Sequence, residues 1–456
     1  MKVIIAAMVG VLGCAAITAN AADRGRDYFK LPKFSATGVD APRKPAKGRT
    51  AVVVTFDSKP YTMVFKLPWV AGYVTPEGVI CAQGYSETFD KKRCNGCAEI
   101  CQDTQSRYAR MWIEHQSAGR IVVRTRGALC DRDGKIAHRD IDSKSPYGKG
   151  DWADEWFRIY PDGTCTRTVT IYTGMAPKAA ASWGRKGHPF ECQETIIQSN
   201  TGRAPTEDID VTALTLITMD GRIKSVAFKP YPQAGQLLKG ANIQIVNLKS
   251  CHKPFTIVQD DDVTISPYYG PDIDREHIDK RVFVGWPRGA KWGKGYTVAL
   301  SHVVDWKFHK RTENTLIRTY LLGMTAAVTK SGQAGEILPI ARAWLKAPEL
   351  KIASKGYKSL GFDRTEKAWI IEKTHPGASL LTVEIAATKD RPVVNPCIVI
   401  RNCNRPVVSF QQGGGLRTGF EKRKGRTDLV IWRRMSSTEP VRFSIKFGSS
   451  RVRSAR

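Results

Sequence analysis

Apolar residues along this chain fall at alternate positions in short runs, and the runs are separated by Gly, Pro, Asn and Asp. Alternation of that kind is the pattern of half-buried β-strands joined by turns. Ala51 to Phe56 and Tyr61 to Leu67 flank Asp57-Ser58-Lys59-Pro60, while Tyr108 to His115 and Arg120 to Arg126 flank Gln116-Ser117-Ala118-Gly119. Both arrangements predict antiparallel hairpins. Phe157 to Tyr160 runs into Pro161-Asp162-Gly163, a turn in which glycine is free to take positive φ, and then into Cys165 to Tyr172. Further strands are predicted at Ala213 to Met219, Ile223 to Phe228, Asn242 to Leu248, Thr297 to Val304 and Leu316 to Leu322. One stretch reads as helix, Ala334 to Leu345, and Pro339 inside it limits even that.

The expected fold is therefore all-β and antiparallel, with a main domain over residues 22–346 of supersandwich or large sandwich type. A composition shift at Ala347-Pro348 opens a tail, residues 347–456, with strands expected at Ala368 to Glu372, Ser379 to Ala386, Cys397 to Arg401 and Asp428 to Trp432. That tail reads as a smaller β-sandwich. Its basic run from Glu421 to Arg426 is most simply a solvated loop between strands.

Charge narrows the functional classes. The chain carries 71 Lys and Arg against 43 Asp and Glu, a formal net charge of +28. Residues 1–21 read as a signal peptide: Lys2, an apolar run from Val3 to Ile17, and Ala19-Asn20-Ala21 as the cleavage pattern. Val11-Leu12-Gly13-Cys14 offers an alternative, a lipobox that would leave a lipid anchor on Cys14. A strongly basic protein sent out of the cytoplasm, secreted or periplasmic, meets acidic or sulfated polysaccharide before nucleic acid. No zinc-finger, helix-turn-helix or RNP pattern is present, and no integral membrane segment or basic amphipathic helix is visible.

Eleven cysteines, ten once Cys14 leaves with the leader, make disulfides the expectation in an oxidising compartment, with Cys397 and Cys403 placed to close a hairpin. Cys94, Cys97 and Cys101 form a C-x2-C-x3-C cluster with no fourth ligand nearby in sequence, which reads as structural and not as a metal site. No cofactor is called for. Asp260-Asp261-Asp262 could start a calcium site, but the rest of a ligand set is missing, and a solvated loop explains it.

Two segments concentrate candidate chemistry. In the first, strand alternation puts Asp154, Trp156, Arg158 and Tyr160 on one face and Glu155, Phe157 and Ile159 on the other. Trp156, Arg158 and Tyr160 then have the makings of a sugar platform, since flat rings stack on pyranose faces and a guanidinium grips a carboxylate or sulfate bidentately. The second, Tyr268 to His309, holds His277, Trp286, Arg288, Trp292, Tyr296 and His302. β-Elimination at a uronic acid needs a cation to neutralise the carboxylate, a base and an acid. Arg288, His302 and Tyr296 are the residue types for those roles, with Trp286, Trp292 and His277 as further substrate contacts. A glycoside hydrolase would instead draw on Glu155, Glu191 and Glu194, and a non-catalytic glycan-binding protein needs none of these catalytic groups. The absence of G-x-S-x-G, P-loop, H-E-x-x-H and dinucleotide fingerprints removes the common hydrolase, NTPase and oxidoreductase templates.

Several blocks together resemble a family of large secreted bacterial β-proteins associated with polysaccharide degradation. They are Val74-Thr75-Pro76-Glu77-Gly78 through Ser86-Glu87-Thr88, Trp152 to Gly163, Ala241 to Ser250, and Arg311-Thr312-Glu313-Asn314-Thr315. The resemblance implies a carbohydrate-related role, polysaccharide-lyase-like on a galactose-mutarotase-like supersandwich, without naming a substrate. The chain departs from that pattern at Ala109, where relatives tend to carry His, and at Arg124-Thr125-Arg126-Gly127, which replaces a more aromatic run. Those departures point toward a binder descended from an enzyme.

Overall fold

A computed structural model of the chain describes residues 34–40, 49–57, 59–67, 70–173, 190–199, 205–227, 238–259, 263–267, 297–305, 311–312, 315–411 and 415–448. The fold is all-β, as the alternating pattern requires, and its two large sheets have ten strands each. The first sheet runs Ser35–Asp40, Arg49–Thr55, Thr62–Lys66, Val70–Val74, Ile80–Ala82, Phe190–Gln198, Thr297–Asp305, Val263–Pro267, with Glu87–Asp90 and Gly96–Glu99 attached beside Phe190–Gln198. The second runs Ile223–Val226, Ile209–Thr218, Ala241–Leu248, Lys253–Val258, Thr315–Thr325, Cys165–Tyr172, Trp152–Ile159, Ile121–Ala128, Arg110–Gln116. Both predicted hairpins form, with Ala51 opposite Lys66 and Arg110 opposite Arg126.

Side chains from both sheets share one apolar core. Val52, Val54, Phe56, Phe65 and Tyr73 come from the first, and Met111, Val123, Phe157, Ile159, Val169 and Leu322 from the second. On the outer face of the second sheet, the helix Lys330–Leu345 covers Ile217, Ile243, Ile245, Phe255, Ile257 and Leu321 with Ala334, Ile337, Ala341 and Trp344. The helix begins four residues before its predicted start because Thr329 caps it, its hydroxyl accepting from the Gly332 amide at 3.1 Å.

Residues 350–447 gather an apolar cluster of their own between a four-stranded and a five-stranded sheet. One strand pair there is parallel, Ala368–Lys373 with Cys397–Arg401. The opposite face of that five-stranded sheet, with Ala368, Ile370, Cys397, Val399, Val430 and Trp432, packs on Tyr160.

That contact corrects one sequence expectation. Strand Trp152–Ile159 ends one residue before Tyr160, whose amide donates to Thr164 O at 2.9 Å to close the hairpin. Tyr160 is fully buried and its hydroxyl donates to the Glu366 carbonyl, so it is a packing residue and not a sugar contact. The run Glu421 to Arg426 is solvated at Lys422, Lys424 and Gly425 but not at its start. It turns a hairpin between Leu416–Arg423 and Arg426–Arg433, and Glu421 is fully buried, receiving both Nε and Nη2 of Arg120 at 2.8 and 2.7 Å.

No disulfide links the ten cysteines of the described residues, which overturns the expectation of a disulfide framework. Cys397 and Cys403 show the physical reason. Cys397 belongs to the cluster around Tyr160 and Cys403 to the core between the two smaller sheets, on opposite sides of the strand that separates them. Among the described residues, no helix is long and apolar enough to cross a membrane. Cys14, the leader and Asp260-Asp261-Asp262 lie outside the described residues.

Candidate functional site

The half of the second sheet that the helix leaves uncovered carries a charged aromatic face. Antiparallel register sets Trp112 opposite Arg124, Arg124 opposite Trp156, and Arg126 opposite Asp154. Side chains directly opposite in such ladders touch, and here guanidinium groups layer with rings. The Arg124 guanidinium carbon is 4.7 Å from the Trp156 ring centroid and 5.5 Å from that of Trp112. Its nitrogens bind Asp154 bidentately at 2.9 and 2.7 Å, and Nη2 also donates to the Tyr147 hydroxyl at 2.7 Å. Arg126 sits 4.4 Å from the Tyr147 ring and 5.3 Å from Trp112. Unlike Arg124 it has no carboxylate partner among the described residues, and its Nε makes no hydrogen bond there.

Of the residues expected on this platform, Trp156 and Arg158 are together, with Arg158 5.7 Å from the Trp156 ring. Arg158 is only 12% exposed and also reaches Glu366 at 3.5 Å, so it sits where the platform meets the C-terminal sandwich. Trp112 and Tyr147 were not singled out in the sequence, and Arg124 and Arg126 stood out there only as part of a run that departs from the family pattern. Alternation puts Arg124 and Arg126 on one face of their strand, but only the register between three strands shows that this face also carries Trp156.

A second group of ionisable side chains lies on the first sheet. Glu99, Glu87 and Glu191 stand in one cross-strand row, with Glu87 opposite Glu99 on one side and Glu191 on the other. Glu191 Oε2 is 3.1 Å from His302 Nδ1. Burial lowers the His302 pKa below its ordinary value, which keeps the ring neutral at pH 7. The Tyr85 hydroxyl donates to Glu87 at 2.6 Å. Burial, and then the charges of Glu191, Glu99 and Glu194, push the Glu87 carboxyl well above the usual carboxylate range. The Cys97 sulfur lies 3.1 Å from Glu87 Oε2 and 2.8 Å from Glu99 Oε1, and Cys101 lies 2.9 Å from Glu99 Oε2.

Glu155 is elsewhere. It is fully buried, accepts from Ser86 at 2.8 Å and pairs with Arg167 at 2.6 Å, so it serves the core and does not face Glu191 as a partner carboxylate. Arg288, Tyr296, Trp286, Trp292 and His277 lie outside the described residues. No protein-family model matches the chain, and no curated protein does.

Proposed function

We propose that this chain is an exported protein that binds anionic polysaccharide on the open half of its second sheet. Arg126 carries the reading: a guanidinium held between the rings of Trp112 and Tyr147 with no carboxylate partner among the described residues. Such a group is oriented for a uronate or sulfate, and the rings of Trp112 and Trp156 hold the guanidinium groups of this face in place. The net charge of +28 adds long-range attraction for polyanions.

A second reading, a β-eliminating polysaccharide lyase, is favoured by the His302–Glu191 pair, a neutral imidazole oriented by a carboxylate as a general base requires. One panel tests both, with uronic, sulfated and neutral polysaccharides offered to wild-type, Arg126→Ala and His302→Ala protein. Binding should favour acidic chains and weaken with salt, since screening acts over roughly 10 Å at about 0.1 M. Arg126→Ala should weaken it by about 30-fold, the cost of truncating a central anchor. Equal, salt-insensitive retention of neutral glycans removes the binding reading. New ultraviolet absorbance from an unsaturated uronate, lost in His302→Ala, establishes the lyase; retention without turnover leaves a binder.

A further inference from the structure

We propose that Glu87, Cys97 and Glu99 form a binding site for a divalent cation of the zinc class. Donor atoms of Glu87, Cys97 and Glu99 all lie within 4.8 Å of one another. The Cys101 thiol stands outside this group and donates to the other oxygen of Glu99 at 2.9 Å, which orients that carboxylate. Zinc bonds of about 2.0–2.3 Å in a tetrahedron set neighbouring donors roughly 3.3–3.8 Å apart, so Cys97, 3.1 and 2.8 Å from its two carboxylates, needs to draw back by only about half an ångström to admit the ion.

Proton counting points the same way. Cys97 has one S–H but faces two carboxylate oxygens, and a thiol is a weak donor. Glu87 also has a glutamate directly opposite on each side, a grouping of carboxyls that a bound cation would stabilise. Among the described residues, no Lys or Arg pairs with Glu87 or Glu99. A thiol donor favours a borderline-soft ion over calcium or magnesium. Three protein donors leave one position of a tetrahedron for water or another ligand. The ion would tie together the two strands of the short hairpin Glu87–Asp90/Gly96–Glu99. Cys94 stands outside the set, its thiol donating to the Lys135 carbonyl at 3.2 Å.

The test uses the full chain, stripped with chelator under reducing conditions. It is titrated with cobalt(II), whose thiolate charge-transfer band reports sulfur ligation, and with zinc by calorimetry in two buffers of different ionisation enthalpy. One equivalent should bind with a thiolate band, and protons should be released because the Cys97 thiol must deprotonate. Cys97→Ser should abolish the band and weaken zinc binding by more than the roughly 10–100-fold that loss of an outer-shell partner costs. Cys251→Ser, at an exposed thiol beside His252, should leave both unchanged. If Cys97→Ser does not fold, Glu99→Gln replaces it and should weaken zinc binding by the same criterion. No thiolate band at stoichiometric cobalt, zinc binding unaffected by both variants, or a band that vanishes only in Cys251→Ser overturns the assignment.

Discussion

Gly163 has no side chain for two reasons that act together. Its φ of 88° is a left-handed conformation, and a Cβ added there would collide with the Tyr61 hydroxyl. Its carbonyl is fixed by the Tyr73 hydroxyl at 2.7 Å. Gly425 shares the conformation, with φ 76°, but has open space around its Cβ position. Denaturant unfolding should therefore show Gly425→Ala costing about 1–2 kcal/mol, the backbone penalty alone, and Gly163→Ala costing more. Equal losses would mean that Tyr61 yields freely. At this scale much was legible. Pro161-Asp162-Gly163 announced its turn, and alternation set Asp154, Trp156 and Arg158 apart from Glu155, Phe157 and Ile159, of which the last three are fully buried. Tyr160 was not legible, because the strand ends at Ile159 and the surface that buries Tyr160 comes from residues 368–432, far along the chain.

Among the elements, strands were easier to read than their neighbours. Cys165–Tyr172 and Cys397–Arg401 have the predicted bounds, since β-branched and aromatic alternation is a local property. The aromatic face needed the register of three strands, and Glu87 with Cys97 and Glu99 needed a hairpin whose two four-residue strands are too short and polar to stand out. The helix Lys330–Leu345 shows what a capping residue adds to such a reading. Replacing Thr329 with Ala removes the hydroxyl acceptor for the Gly332 amide and should cost about 0.5–2 kcal/mol, measured as a shift in the unfolding midpoint. A shift near zero would mean that packing on Ile217, Ile245 and Phe255 alone holds the helix.

Across the whole molecule, the C-terminal sandwich is fastened by buried charge. Arg120 joins Glu366 and Glu421, and Arg423 reaches both. Burial raises the Glu366 and Glu421 carboxyls, but the arginines outweigh it and hold both below the usual range. Groups lowered in this way contribute stability above their unfolded pKa and lose it as pH falls. The thermal unfolding midpoint should therefore drop as pH is taken below about 4.5. Glu87, raised by burial and by its neighbouring glutamates, acts with the opposite sign and in the window above about 4.5, so Glu87→Gln should remove a rise in midpoint as pH falls toward that value. A midpoint flat below about 4.5 would show that the arginine–glutamate pairs do not govern the junction.

The strand order of the second sheet also has a consequence in time. Thr315–Thr325 is a central strand, flanked by Cys165–Tyr172 on one side and Lys253–Val258 on the other. Residues 110–172 and 209–258 can each zip up by local pairing as they leave the ribosome, yet the two halves stay unjoined until a strand made much later slides between them. Such non-local closure is slow, and it leaves unpaired strand edges open to other chains while the nascent protein waits. A chain of this topology is best kept unfolded until synthesis is complete, which is the condition that post-translational export imposes.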